Sequence, residues 1–388
     1  MNFYGPLKVN ERLPTMHLKN IALSFLATLT PLAGAHAQGA LGKSTANGEA
    51  TVAQEASAFG FTHGSFVAAP IPIKNPTLGS GFALGAGYLF AMDDVSDDSY
   101  VGLGGFKTDN GSFGYGISGD IAWDENRWNL ALTLGEVSLN YDYSLFDGHG
   151  PKIPLEQEGR LVNFTLKYGL TDAIRLGLNT AYVETELGLN SSGSLPPILE
   201  RDADLKIWKI GPMFEIDTRN DSTYPTAGSH LSINSNYNIV ESKVFERTYT
   251  KSIAKLDNYT SVNDSLVVAS QATICNASEG APFFDQCGLG TVDAFRGFAF
   301  GEVLNNSLVS VQAEVRGVVT DRLGYVVFAG LGNVGPDFSD MTSKNIRSSG
   351  GVGLRFRLSQ KFPLDFSMDA ARADTGEDTY YIYVGQRF

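Results

Sequence analysis

The feature that most limits the fold is an alternation of apolar and polar side chains that recurs from Gly79 to Phe388. A period of two indicates β-strands, because successive side chains of a strand point to opposite faces. In the final stretch, one face carries Tyr380, Ile382, Val384 and Phe388, and the other carries Tyr381, Tyr383 and Arg387. Beyond the N-terminal segment, no stretch approaches the ~20 apolar residues of a membrane-spanning helix. The chain is therefore predicted to be all-β.

The alternation predicts sixteen strands, each near the ~9–11 residues that a tilted membrane strand needs. They are Gly79–Phe90, Ser99–Lys107, Phe113–Trp123, Arg127–Leu134, Val137–Leu145, Gly159–Tyr168, Ile174–Glu186, Leu205–Asp217, His230–Ile239, Arg247–Asn258, Ser265–Cys275, Ser307–Val318, Gly324–Asn333, Gly350–Leu358, Leu364–Arg372 and Thr379–Phe388. The even number depends on a turn at Gly135-Glu136, and this division uses the rule that bacterial barrels have even strand numbers.

Alternation alone does not separate a membrane barrel from a soluble sandwich, whose apolar face points inward. Three features favour the barrel: the strands are long, the connections alternate in length, and the chain ends on Phe388. For example, Thr320–Arg322 is a short connection, Val334–Arg347 is a long one, and Gln360–Lys361 is short again. Short turns at one end and long loops at the other are usual in outer-membrane barrels. The fold class is therefore predicted as a transmembrane antiparallel β-barrel.

The N-terminus predicts export. Lys19 precedes the apolar run Ile21–Ala33, which ends at Ala35-His36-Ala37, the pattern of a secretory signal peptide over residues 1–37. Residues 38–78 are too few for most folded domains and are expected to form a short periplasmic tail or plug before a barrel over 79–388. The prolines of Ala68–Pro76 suggest that this segment ends in an extended lead. The predicted location is the bacterial outer membrane.

Composition disfavours two classes of function. The formal net charge of -13 argues against nucleic acid as a partner, since phosphates require an excess of Lys and Arg. None of the histidines falls in a metal-binding spacing, and there is no G-x-S-x-G motif. We therefore predict no catalytic residues, no metal and no cofactor. The histidines are His17, His36, His63, His149 and His230.

The longest segment of the C-terminal half without alternation runs from Cys275 to Phe300. Its two cysteines, Cys275 and Cys287, are the only ones in the chain, and an oxidising compartment favours a disulfide between them over two separate thiols. Near its end, Arg296 stands between two phenylalanines and beside a glycine. Such a loop either lies on the surface or folds back into a barrel lumen.

Several motifs, in this order, resemble the BamA/TamA-like outer-membrane β-barrel superfamily, also called the bacterial surface antigen family. They are Asp217–Asp221 with Tyr224–Gly228, which resembles the DTRxxxxxPxxG turn; Phe295-Arg296-Gly297-Phe298, which resembles the [VF]RG[FY] tip; Glu314 and Arg316, which resemble E-x-R; Gly350–Arg355 and Pro363–Asp369, which resemble the closing strands; and the terminal Phe388. The resemblance covers roughly Pro70 to Phe388. It implies a barrel whose long loop enters the lumen from outside.

The sequence departs from this family in two ways. Its short N-terminal segment leaves no room for POTRA domains, so a barrel-only member is expected, and Gly330 stands where the family's F-x-D-x-G strand has its aspartate. A guanidinium inside a barrel requires acceptors, because an unpaired buried charge is costly. We therefore predict that Arg296 pairs with Glu314, Asp369 or both. A rim-exposed Arg296 is the alternative.

The resemblance implies protein assembly or translocation. The mechanism expected is a weak seam between the first and last strands, because glycine weakens strands and an exposed edge can pair with a client strand. Glycines that relieve crowding in a curved wall are the alternative explanation. A plugged pore for solute or lipid and a structural, dimerising barrel are the alternative functions.

Expected partners are outer-membrane lipids including lipopolysaccharide, the barrel assembly machinery, and a polypeptide client or a homodimer. The seam residues predicted are Gly79, Gly81, Gly85, Gly87 and Phe388.

Overall fold

The computed structural model describes residues 65–144, 151–190, 193–222, 224–359 and 364–388. The predicted signal peptide and residues 38–64 of the predicted tail lie outside the described residues. Within the described part of the chain, no helix is long and apolar enough to cross a bilayer.

Sixteen antiparallel strands close into one barrel, as predicted, in which sequence neighbours pair with each other. Its strands are β1 (Ser65–Asn75), β2 (Gly79–Phe90), β3 (Ser99–Thr108), β4 (Phe113–Trp123), β5 (Trp128–Ser144), β6 (Lys152–Gly169), β7 (Ile174–Leu189), β8 (Asp204–Asp217), β9 (Gly228–Glu241), β10 (Glu246–Asn263), β11 (Leu266–Ala277), β14 (Ser307–Val318), β15 (Leu323–Gly335), β16 (Arg347–Ser359), β17 (Leu364–Ala373) and β18 (Asp378–Val384). Between β11 and β14, the short strands β12 (Cys287–Gly288) and β13 (Leu304–Asn305) pair separately. One short helix, α1 (Pro197–Glu200), and three 3-10 turns, Phe283–Asp285, Phe338–Asp340 and Ser343–Asn345, complete the described elements.

Two strand assignments made from the sequence are wrong, and the errors offset each other in the total. The first strand is Ser65–Asn75, not Gly79–Phe90, so the barrel begins within the segment predicted as a tail. Its prolines suggested an extended lead, but proline is tolerated on the edge of a sheet. The stretch predicted as two strands is the single strand β5, because Gly135 continues the ladder with both neighbours, Gly116 and Leu161.

The outside of the wall is apolar, which distinguishes the barrel from a soluble sandwich. On β16, Val352, Leu354 and Phe356 point outward and are 58%, 51% and 44% exposed, whereas Arg355 between them is 4% exposed and faces the lumen. A soluble protein buries such an apolar face, while a membrane barrel presents it to lipid.

The barrel has a terminal end, where β1 begins at Ser65 and β18 ends at Val384, and an opposite loop end. The connection 278–306 leaves β11 at the loop end and returns into the lumen, where its aromatic side chains form much of the core. Phe295 is 1% exposed and Phe298 is 2% exposed, so the loop fills the centre of the barrel.

The barrel closes between β1 and β18 through one registered pair, Lys74 with Ile382. By contrast, β1 pairs with β2 along its whole length. The last strand stops at Val384, and Gly385 takes a left-handed conformation with φ of 98°. The final residues then turn into the lumen, where Arg316 donates to the main-chain oxygen of Phe388.

Candidate functional site

The lumen loop 278–306 is tied to the wall by a disulfide at its start. Cys275 lies near the end of β11 and Cys287 lies on the loop, and their sulfurs are bonded with the Cα atoms 5.8 Å apart. Both cysteines are fully buried. The bond closes a short segment, so the loop begins its path across the lumen from a fixed point.

Arg296, at the tip of the loop, is paired on both sides of its guanidinium. Nη1 donates to Asp369 Oδ2 at 2.8 Å and Nη2 donates to Glu314 Oε2 at 2.5 Å. The guanidinium lies 3.4 Å from the centre of the Phe328 ring. All three charged side chains are fully buried. Removing the guanidinium from water costs free energy, and its contacts with the two carboxylates offset that cost.

The two carboxylates also hold neighbouring arginines. Asp369 Oδ1 accepts from Arg355 Nη1 at 2.5 Å, and Asp369 Oδ2 accepts from the Tyr383 hydroxyl at 2.7 Å. Glu314 Oε1 accepts from Arg316 Nε at 2.6 Å. Each carboxylate therefore links the loop tip to an arginine of the wall, and several strands together hold the tip in place.

Gly297 allows the loop to turn directly after Arg296. Its φ is 112°, and a Cβ atom there would lie 2.8 Å from the Cβ of Ser349. The Gly297 N–H donates to the Tyr381 hydroxyl at 2.8 Å, and the Ser349 hydroxyl donates to the carbonyl of Arg296. Strands β14, β16, β17 and β18 therefore all contact the tip.

The presence of Gly330, where the F-x-D-x-G motif would have an aspartate, has a steric explanation. At its position, Gly330 lies under the aromatic ring of Phe295, and a Cβ there would be 2.6 Å from a ring carbon. A side chain on Gly330 would displace Phe295. The acceptors for Arg296 come instead from β14 and β17.

A second anchor holds the other side of the loop, and the sequence analysis missed it. Asp285 accepts from Lys209 of β8 at 2.5 Å and from Lys251 of β10 at 3.0 Å, and the Tyr249 hydroxyl also donates to it. Burial alone would raise the pKa of Asp285, but the two ammonium groups outweigh it and lower that pKa. The only sequence signal was the placement of lysines on lumen faces of strands.

The loop divides the lumen. A cavity of about 290 Å³ remains at the terminal end, lined among others by Lys255, Arg219 and Arg387. A second cavity, of about 480 Å³, lies at the loop end beside Thr77, Glu302 and Phe300. A solute crossing the barrel along its axis would have to displace the loop between them.

The structure moves the seam away from the residues predicted for it. Gly79, Gly81, Gly85 and Gly87 lie on β2, which pairs with β1 and β3, so they are not strand partners of β18. A Cβ on Gly81 would lie 2.1 Å from the carbonyl oxygen of Lys107, which fits close strand approach. Phe388 lies past the end of β18, inside the lumen.

The chemistry of the described residues gives no sign of a metal centre. Within the described ranges, no group of three or more His, Cys, Asp or Glu side chains is placed to hold a metal ion. The candidate site is the lumen loop, which Arg296 and Asp285 pin to the wall, together with the seam between β1 and β18.

Comparisons with known proteins agree with this architecture. The model of the Omp85 superfamily domain matches residues 107–388. No curated protein matches the sequence. Among solved structures, BamA from Haemophilus ducreyi, in a crystal structure lacking POTRA domains 1–3, superposes with a TM-score of 0.56 at 15% identity, over 83% of this chain and 70% of that chain.

CdiB from Acinetobacter baumannii superposes with a TM-score of 0.54 at 12% identity, over 83% of this chain and 59% of that one. CdiB from Escherichia coli gives a TM-score of 0.52 at 12% identity, over 82% and 62%. The chain therefore spans less than two thirds of either CdiB chain. At these identities the likeness concerns the fold.

Proposed function

Because the chain belongs to the Omp85 superfamily, we propose that it helps polypeptides to enter or cross the bacterial outer membrane through the seam between β1 and β18. The single observation that carries the proposal is the closure of this barrel by one registered pair, Lys74 with Ile382. The barrel itself is integral to the outer membrane.

The seam is the place where the wall opens at the lowest cost. Breaking any other strand pair removes a long ladder, and in lipid each unsatisfied backbone group costs several kcal/mol. At the seam, the backbone ladder that has to separate is the single pair of Lys74 and Ile382. A client strand that supplies new backbone hydrogen bonds would therefore be favoured at this edge.

The pinned loop keeps the rest of the wall fixed while the seam opens. Arg296 bridges β14 and β17 through Glu314 and Asp369, and Gly297 contacts β18 through Tyr381. The same loop fills the axis of the barrel. The route for a polypeptide therefore lies along the seam and not through the centre of the lumen.

The proposed partners are a polypeptide client, outer-membrane lipids including lipopolysaccharide, and the barrel assembly machinery during the chain's own insertion. A second candidate function is a plugged pore for solute or lipid. The cavities of about 290 Å³ and 480 Å³ on the two sides of the loop favour it, since displacement of the loop would join them. A homodimeric structural barrel has no specific contact in its support.

The test is a reversible lock on the seam. The double variant Lys74→Cys/Ile382→Cys places two thiols on one cross-strand pair, at a spacing that suits a disulfide. The purified barrel in liposomes is mixed with a urea-unfolded eight-stranded outer-membrane barrel as client, and the folding rate of the client is measured. We expect the reduced variant to accelerate folding and the oxidised variant to give the rate of empty liposomes.

The matched control is Val327→Cys/Val352→Cys, which locks β15 to β16 where the ladder is continuous. Oxidation of this control should leave the acceleration intact. Equal client folding rates for the open and locked seam would reject the seam as the route. Steady single-channel conductance of the parent in a planar bilayer, unaffected by the lock, would favour the plugged pore instead.

A further inference from the structure

Two prolines lie on the edge of β1 that faces the seam. Pro70 pairs with Leu84 and Pro72 pairs with Phe82 in an unbroken ladder between β1 and β2. Each residue of an antiparallel ladder directs its N–H and C=O to one neighbour, and successive residues alternate between neighbours. Proline has no N–H, so an unbroken ladder requires both prolines to face away from β2, towards β18.

The register of the seam places these prolines where its next hydrogen bonds would form. Lys74 has the same parity as Pro72, so it faces β18 and pairs with Ile382. Two residues further along each strand, Pro72 stands opposite Val384, and the next such position is Pro70. Neither proline can donate, and β18 ends at Val384.

Pro212, within the described barrel strands, shows the same effect. It continues the ladder of β8 with Leu178 of β7, but on its other side the ladder with β9 jumps from Ile210 to Met213. Pro154 of β6 lies at the end of the ladder with β7, where its carbonyl accepts from the Asn190 N–H at 3.0 Å but no N–H is available to donate. A proline in this wall therefore removes the donor on the side that its nitrogen faces, and inside a strand the ladder is interrupted there.

We propose that Pro70 and Pro72 stop backbone pairing on the seam edge of β1 below Lys74, and so exclude this part of β1 as a template for an added polypeptide strand. The first part concerns the closed barrel alone. The second part rests on the proposed function, because it names the edge on which a client strand does not pair.

The test replaces both prolines and reads the amides that this creates. In the double variant Pro70→Thr/Pro72→Thr, positions 70 and 72 gain N–H groups that face the seam. Residue-resolved hydrogen exchange is measured on the purified barrel in nanodiscs, alone and with the urea-unfolded eight-stranded barrel. We expect exchange at both positions to be slowed at least ~100-fold against an unstructured peptide, since a paired strand amide exchanges only on opening.

Protection without the client means that β18 extends its pairing once the prolines are gone. Protection only with the client means that β1 has become a template for the added strand. Both results support the proposal. Fast exchange at positions 70 and 72 under both conditions would overturn it, since some other feature, such as the turn at Gly385, would then end the pairing.

The matched control is Pro212→Thr, which creates one amide facing the gap between Ile210 and Met213 in an otherwise continuous ladder of β8 with β9. Its exchange should be slowed in the absence of client, which shows that the barrel folds and that a new ladder amide is detectable. Failure of the proposed function is read separately, as a parent barrel that does not accelerate client folding. In that case, slow exchange at positions 70 and 72 without client would still show that the two prolines end the pairing between β1 and β18.

Discussion

Arg296 Nη1 lies 2.8 Å from Asp369 Oδ2 in the centre of the barrel, although 73 residues separate the two in the sequence. One side chain belongs to the lumen loop and the other to β17, three strands after the loop returns to the wall. Both are fully buried. The pair therefore couples the position of the loop to the half of the wall that ends at the seam.

Replacement of Arg296 by Ala should destabilise the barrel strongly. It removes the cation that Glu314 and Asp369 share and leaves them only Arg316 and Arg355 as partners, and breaking a buried pair costs up to about 3–5 kcal/mol. We expect a lower temperature for the heat-dependent shift of the barrel in gel electrophoresis. The control is Arg372→Ala, which removes an exposed pair with Asp378 on the outer surface and should leave that temperature unchanged. Equal shifts for the two variants would show that the loop is not pinned by Arg296.

Replacement of Gly297 by Ala should displace the loop tip. The added Cβ meets Ser349 at 2.8 Å and the backbone is left-handed, so contact and conformational strain add up. We expect a loss of about 1–3 kcal/mol in the free energy of unfolding, measured by urea titration. Gly376→Ala separates the two causes, because its φ is 84° but nothing lies within 4 Å of the new Cβ. If Gly376→Ala is as destabilising, the contact with Ser349 contributes nothing.

The sequence predicted the partners of Arg296 but not those of Asp285. Glu314 and Asp369 lie at alternating positions in strands with clear apolar faces, so the period of two places them in the lumen. Lys209 and Lys251 obey the same rule. Their contact with Asp285, however, depends on the path of the loop across the lumen, and no local pattern encodes that path.

The seam was misplaced for a related reason. Pro70 and Pro72 looked like the end of a lead segment, because proline is unfavourable inside a sheet. In a barrel that closes through one pair, the first strand keeps an edge that tolerates proline. Glycines were taken as the mark of a weak strand. In β2 they accompany close packing against β3, as Gly81 shows beside Lys107.

Removal of the disulfide should loosen the start of the lumen loop without releasing its tip. A cross-link that closes a short segment stabilises by about 2–4 kcal/mol. We expect Cys275→Ser/Cys287→Ser to lower the urea midpoint of unfolding, while the contact of Arg296 with Asp369 persists. Dithiothreitol should shift the parent to the same midpoint and leave the variant unchanged. A response of the variant to the reductant would mean that the shift has another origin.

Asp285 makes the stability of the barrel depend on pH in the acid range. Its carboxylate holds Lys209 and Lys251, which keep its pKa below the ordinary value of 3.8. A carboxyl group with a lowered pKa in the folded state contributes stability above pH 3.8, and that contribution is lost as the pH falls further. The variant Asp285→Asn should therefore be less stable than the parent at pH 7, and the difference should shrink below about pH 4.

Glu302, on the same loop, should change the stability with pH in the opposite direction. Burial raises its pKa above 4.5, with Glu377 adding to the effect, although a hydrogen bond from the Ala299 amide opposes it. A raised pKa means that the ionised form disfavours the fold, so stability is lost as the pH rises above 4.5. Glu302→Gln should be more stable than the parent at pH 7 and equal to it at pH 4. Urea midpoints of the parent and the two variants from pH 3 to 8 decide the matter. If both variants are more stable than the parent at pH 7, then burial, and not pairing with the two lysines, determines the pKa of Asp285.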